Sequence, residues 1–304
     1  MKTKKPFFAV LGLLLAASAV VAVGEMDRDV SLESVGTMWW EILHDADQAA
    51  LKVVPVRVSL RDEIRIGDDL ARALQGQWAQ EAPTAAYVAA VAQALEPSLR
   101  RKGIPYRFHV LSSPEINAFA LPGGHVFVFR GMIDFLQNEA ELAAVIGHEM
   151  SHVDLGHCID RHQLQVKLKK TGAQGVGELA DLVRSLATAG YNQQQELEAD
   201  AQGMRAAAEA GYDPHGAVRV FTRMGHAFNE PPATVPSTPA GEVLHSLGGL
   251  LGGYFRSHPR SQARAERLAE LVRENRERLA GRQFYTGTTN YTHRIPRSQQ
   301  EFPE

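Results

Sequence analysis

The residues best placed to do chemistry are His148-Glu149-Met150-Ser151-His152. Four residues turn an α-helix through about 400°, so the two histidines stand on one face and their imidazoles can reach a single cation. Zinc accepts such nitrogen ligands at about 2.0–2.1 Å. Glu149 lies beside them, where a carboxylate can take a proton from a water held at the metal. Five-residue matches of this kind also arise by chance, and two structural histidines on a helix are the plainer reading. Here the motif lies inside an apolar helical run through Leu142, Val145, Ile146 and Met150. Burying a charged trio there demands a compensating partner.

A metal site needs a third ligand. Ten residues beyond His148 stands Cys158, not a histidine, and the seventh is Leu155 rather than glycine, which argues against the metzincin spacing. His157 is out of helical register with His148 and His152 and reads as a packing or surface residue. Downstream, Glu196-Leu197-Glu198-Ala199-Asp200 offers two carboxylates at i and i+4. Glu196 is the candidate third ligand. Asp200, one turn on, can accept the free N–H of a ligating histidine and fix its tautomer. Glu198 points about 200° away from Glu196 and reads as solvated or salt-bridged.

Asn138-Glu139-Ala140-Glu141 has the form of an N-cap with a Glu three residues on, and it starts the metal helix. Residues 61–80, 84–99, 172–208, 214–227 and 259–281 read as further helices. Tyr106–Leu111 and His125–Phe129 alternate as half-buried strands, the second after the turn signal Pro122-Gly123-Gly124. An edge strand at 125–129 would bind an extended peptide by strand addition, and it puts Asn117, Ala118, Gly124, His125 and Val126 forward as substrate contacts. The pattern predicts an α+β, mostly helical domain over 61–281. Residues 228–253, rich in proline and glycine, form a loop or lid, with a short helix at 242–247. A polar, poorly ordered tail is expected over 282–304.

The 304 residues carry a net charge of -3 and 44% hydrophobic residues, which excludes a disordered chain. No basic track points to nucleic acid. Cys158 is the single cysteine, so neither an internal disulfide nor a several-thiolate site can form, and no disulfide-linked partner is expected. Residues 1–24 open with lysines, and an uncharged run from Phe7 to Val23 follows. A helix of that length covers about 25 Å, less than a hydrocarbon core of ~30 Å. A cleaved signal peptide is therefore expected, with an uncleaved membrane anchor as the alternative; either exports the protein to the periplasm or holds it at the membrane. Residues 25–60 form an extension, in which Trp39-Trp40 beside Ile42-Leu43 suggests a short packing helix.

Several segments together resemble the M48 metallopeptidases. They are Asp62-Glu63-Ile64 to Gly67, Asn117-Ala118-Phe119-Ala120-Leu121-Pro122-Gly123-Gly124, the Glu139–His152 helix, Gly190-Tyr191, Glu196–Asp200, Ala210-Gly211-Tyr212-Asp213-Pro214, and Ser257-His258-Pro259 with Arg264. The resemblance covers about residues 60 to 270 and is closest to the soluble, exported branch of the family. It departs at Asn192-Gln193-Gln194 and in the long 228–253 segment. It implies a zincin-like fold and one Zn²⁺ per chain on His148, His152 and Glu196, with Glu149 as the base. It also implies an endopeptidase acting on extended or misfolded polypeptides in envelope quality control, with membrane or envelope assembly partners. A chaperone-like or zinc-binding assembly factor with little proteolysis is the rival, though it would not need Glu149. His258 has three readings: a loop histidine before Pro259 at a helix start, a donor to a developing oxyanion, or a fourth zinc ligand that plugs the site.

Overall fold

The computed structural model describes residues 58–74, 79–170, 190–227, 258 and 261–303. The expectations for 1–24, 25–57, 171–189, 228–253 and Pro259 lie outside these residues. Helix α1 spans Leu60–Leu74 and α2 Ala82–Gln93, with Pro83 in its first turn. Strands β1 (Arg107–Leu111), β2 (Ala118–Leu121) and β3 (His125–Phe129) follow, then α3 (Arg130–Phe135) and α4 (Glu139–Asp154), which carries His148 and His152. Next come α5 (His157–Lys170), α6 (Gln193–Glu209), α7 (His215–Ala227), α8 (Ser261–Glu274), α9 (Arg276–Leu279) and α10 (Thr288–His293). This is a zincin-like α+β architecture. Among the described residues no helix is long and apolar enough to cross a membrane.

The sheet order is β1-β3-β2, with β1 parallel and β2 antiparallel to β3. β3 is therefore the central strand, not an edge. Both of its backbone edges are paired, so a substrate cannot add to this strand at His125 and Val126, and Gly124 lies in the turn before it. All five β3 residues are buried because helices cover both faces of the sheet. Leu111, Phe119, Leu121, Phe127 and Phe129 pack with Leu70 and Leu74 of α1. Val110, Ala118, Ala120, Val126 and Val128 face the main core with α2 and α4. The alternation seen in the sequence thus separates large side chains from small ones, and the alanines let α4 lie close to β2.

Helix α4 is buried along its whole length. Its N-cap is Asn138, whose side chain accepts the Glu141 N–H at 3.0 Å. The Glu141 carboxylate reaches back to the Gln137 N–H at 2.9 Å and also pairs with Arg223. The tail is ordered, contrary to expectation. Tyr285 N–H donates to Gly211 O at 2.8 Å, Tyr291 is buried, and the Asn290 amide donates to the Ile295 and Gln300 carbonyls. The tail also completes the start of α4: Glu139 N–H donates to Gly287 O at 3.2 Å and Ala140 N–H to Thr286 O at 2.9 Å. These are amides that a helix cannot satisfy internally.

Candidate metal centre

Helices α4 and α6 meet at two glycines. A Cβ on Gly203 would stand 2.6 Å from His148 N and 2.7 Å from Gly147 C. Without side chains there, the two backbones approach closely enough for α6 to present Glu196 to the histidines of α4. Glu196 sits seven residues before Gly203, two turns along the same face. The capping box at Asn192 and Gln195 fixes where α6 begins.

His148, His152, Glu196 and His258 each direct one donor atom into a common space, all four within 4.8 Å of one another, and all four residues are buried. His148 Nε2 lies 3.0 Å from His152 Nε2 and 3.2 Å from His258 Nδ1. His258 Nδ1 lies 2.9 Å from Glu196 Oε1. Burial, reinforced by the neighbouring histidines, holds the His152 imidazole well below the ordinary histidine range. Burial does the same to His258 against the opposing pull of Glu149. Imidazoles converging with a carboxylate are the donor set a divalent cation takes.

Glu149 is fully buried, and neither of its oxygens has a hydrogen-bond partner among the described residues. His258 Nε2 lies 3.4 Å from its Oε1. Burial, aided by Glu196, pushes its carboxyl up to about 7. A carboxylate so placed is short of a partner that the described residues do not supply.

Asp200 Oδ1 is 2.8 Å from His148 Nδ1, the contact required of a residue that orients this ligand. Arg264 grips the same carboxylate, through Nε to Oδ2 at 2.8 Å and through a second nitrogen to Oδ1 at 2.6 Å. Burial opposes the charge on Asp200, but Arg264 and His148 outweigh it and hold the carboxyl well below the usual range. Arg264 also lies 3.2 Å from Glu196 and stacks over the Phe221 ring. Asp200→Ala is expected to weaken metal binding about 10–100-fold without abolishing it, read by chelator competition. Parent-like binding would reduce Asp200 to a neutral bystander.

Behind His152 the Tyr191 ring stacks at 3.6 Å between centroids, and His157 Nδ1 lies 3.0 Å from His152 Nδ1. His157 is thus a buried partner of a candidate ligand rather than a surface residue. Gly156, at φ +85°, makes the reversal that brings it there, outside any helical register with His152. The Glu198 carboxylate stands 3.4 Å from His157 Nε2 and is half exposed.

The proposed substrate residues separate into two groups. His125 is buried and hydrogen-bonded between Asp68 and His109, both contacts at 2.9 Å. Val126 is paired on both sides. Gly124 is buried at φ +97°, a turn conformation that favours glycine. Asn117 and Ala118 instead lead into β2, and the buried Asn117 Oδ1 has no hydrogen-bond partner among the described residues. On β2, the Ala120 carbonyl accepts from Arg161 at 3.3 Å.

A helix-borne histidine pair, a carboxylate from a second helix and, beside them, a glutamate with no hydrogen-bond partner among the described residues, set on this α+β scaffold, define a zincin-like metallopeptidase domain. The chain belongs to peptidase family M48, whose description matches residues 82–272. It is 31% identical over 177 residues to the mitochondrial metalloendopeptidase OMA1 of Arabidopsis thaliana, covering 56% of this chain and 32% of that protein. It is 28% identical over 178 residues to the beta-barrel assembly-enhancing protease of Escherichia coli, covering 52% and 36%. Over 181 residues it is 28% identical to the metalloprotease LoiP of Escherichia coli, covering 56% and 64%. The chain therefore spans from just under a third to just under two thirds of these relatives. Members of the family depend on a metal, and the buried histidine–glutamate group here can hold one.

Proposed function

We propose that the chain is a zinc-dependent endopeptidase that cleaves extended or misfolded polypeptides in envelope protein quality control. The observation that carries this reading is the juxtaposition of four buried donors with a glutamate that has no hydrogen-bond partner among the described residues. His148, His152 and Glu196 would hold the zinc. When bound, zinc supplies Lewis acidity, polarising a carbonyl and acidifying a water. Glu149 accepts the proton of the attacking water at its carboxylate and delivers it to the leaving amine. Asp200 and Arg264 hold His148 in one orientation, and Tyr191 and His157 hold His152. Asn117 and Ala118 remain the proposed substrate contacts at β2. The envelope setting is supported by the basic, then apolar, first 24 residues and by the likeness to the Escherichia coli beta-barrel assembly-enhancing protease.

The test is a casein digest by the full chain with and without a zinc chelator, with metal analysis of the same sample. Chelator-insensitive digestion, or no digestion with one zinc bound, would overturn the reading; the second result favours the assembly-factor alternative.

The position of His258 favours one of its readings. Its Nδ1 contacts Glu196 and His148, and its Nε2 faces Glu149. It therefore sits where a substrate carbonyl and a water would have to enter, as a fourth ligand would. His258→Ala is expected to raise the peptidase rate several-fold, measured on a quenched fluorescent peptide. A fall in rate with unchanged metal content would assign it to the oxyanion instead.

A further inference from the structure

Among the described residues β2 has a neighbouring strand on one side only, since the sheet order is β1-β3-β2. The Asn117 carbonyl accepts the Phe129 N–H at 2.9 Å, so in the antiparallel ladder Phe119 and Leu121 also turn their backbone groups towards β3. Ala118 and Ala120, at the alternate positions, turn theirs away from β3. A peptide that adds to β2 as a further strand donates its N–H groups to these two carbonyls.

The Ala120 carbonyl is already taken. The Arg161 guanidinium of α5 donates to it at 3.3 Å and the Cys158 thiol at 3.6 Å. A carbonyl oxygen has two lone pairs, so a third donor finds neither available. The two donors differ in freedom. Cys158 is a short side chain on the first turn of α5 and leaves only if the helix moves. Arg161 reaches across on a long, flexible stem, and rotation about its side-chain bonds frees the carbonyl while α5 stays in place. Its guanidinium carbon lies 4.0 Å from the centre of the Tyr191 ring, which stacks in turn on His152. Arg161 is thus braced between the outer side of β2 and the ring behind a candidate metal ligand. Ala118 and Ala120 are buried, as are the four converging donors, so the site is closed to a polypeptide in this arrangement.

We propose that Arg161 is an autoinhibitory latch on β2: its guanidinium holds the Ala120 carbonyl, an acceptor that an added peptide strand needs, and releases it when substrate pairs along the strand. The proposal rests on the reading of β2 as the strand that receives substrate.

Fluorescence anisotropy on the full chain carrying Glu149→Gln, so that binding is read without turnover, tests this. The probe is a fluorescein-labelled decapeptide of alternating valine and serine, with a series of the same peptide N-methylated at one bond at a time. Adding Arg161→Met or Arg161→Gln, which remove the donor, is expected to tighten binding of the unmodified peptide by about threefold or more, the worth of one hydrogen bond. The gain is expected to vanish for one member of the series, the form that lacks the N–H offered to Ala120. Affinity unchanged or lowered in both variants would overturn the proposal and leave Arg161 as a guard against unwanted pairing of an edge strand. A gain of equal size throughout the series, undetectable binding by every chain, or failure of both variants to fold would also overturn it. Because no turnover is read, these outcomes stand apart from the casein digest, which decides the peptidase reading.

Discussion

Glu149→Gln is expected to lower peptide hydrolysis by about 10²–10⁴-fold while the chain still carries one zinc. The substitution keeps the shape of a side chain with almost no room to move, since Glu149 is fully buried. It removes the one property the mechanism needs there, a carboxylate able to take a proton. Because Glu149 is not among the four converging donors, metal content should not change. Casein hydrolysis and metal analysis on one preparation check both halves. Full activity would remove Glu149 from the role of base, and loss of the metal would make it a ligand.

The second large effect is expected at a residue with no side chain. Gly203→Ala places a methyl group 2.6 Å from the His148 backbone nitrogen. The obstacle is backbone and cannot swing aside, so α4 and α6 must separate. Overpacking of this kind costs about 1–3 kcal/mol. Glu196 rides on α6 and would move away from His148 and His152, so zinc affinity should fall together with the denaturation midpoint. Loss of stability with parent-like zinc affinity would show that the glycine contact serves packing alone.

What could be read from the sequence was local. Histidines four apart, an N-cap at Asn138 and carboxylates at Glu196 and Asp200 follow from helical periodicity and need no knowledge of the fold. Contacts that depend on a distant segment were not readable. The alternation over His125–Phe129 describes a strand equally well at an edge or in the centre, and only pairing with Arg107–Leu111 and Ala118–Leu121 decides. A glycine inside a helix signals a propensity cost, but the reason for Gly203 lies in Gly147. His157 fails helical register with His148 and His152, and the Gly156 turn delivers it to His152 by another route. The tail looked disordered because Tyr285 and Tyr291 are sparse among polar residues, yet each finds a buried place.

That tail bears on how the molecule folds. Arg297 N–H donates to Glu139 Oε1, and Tyr291 O–H to the Ile133 carbonyl, each across 158 residues. Contacts of such sequence separation form slowly, because the loop they close must first surrender its entropy. The α4–α6 pairing that gathers the ligands spans a far shorter stretch. The chain is therefore expected to bring His148, His152 and Glu196 together while the opening turn of α4 is still frayed, and to dock residues 285–297 on it later.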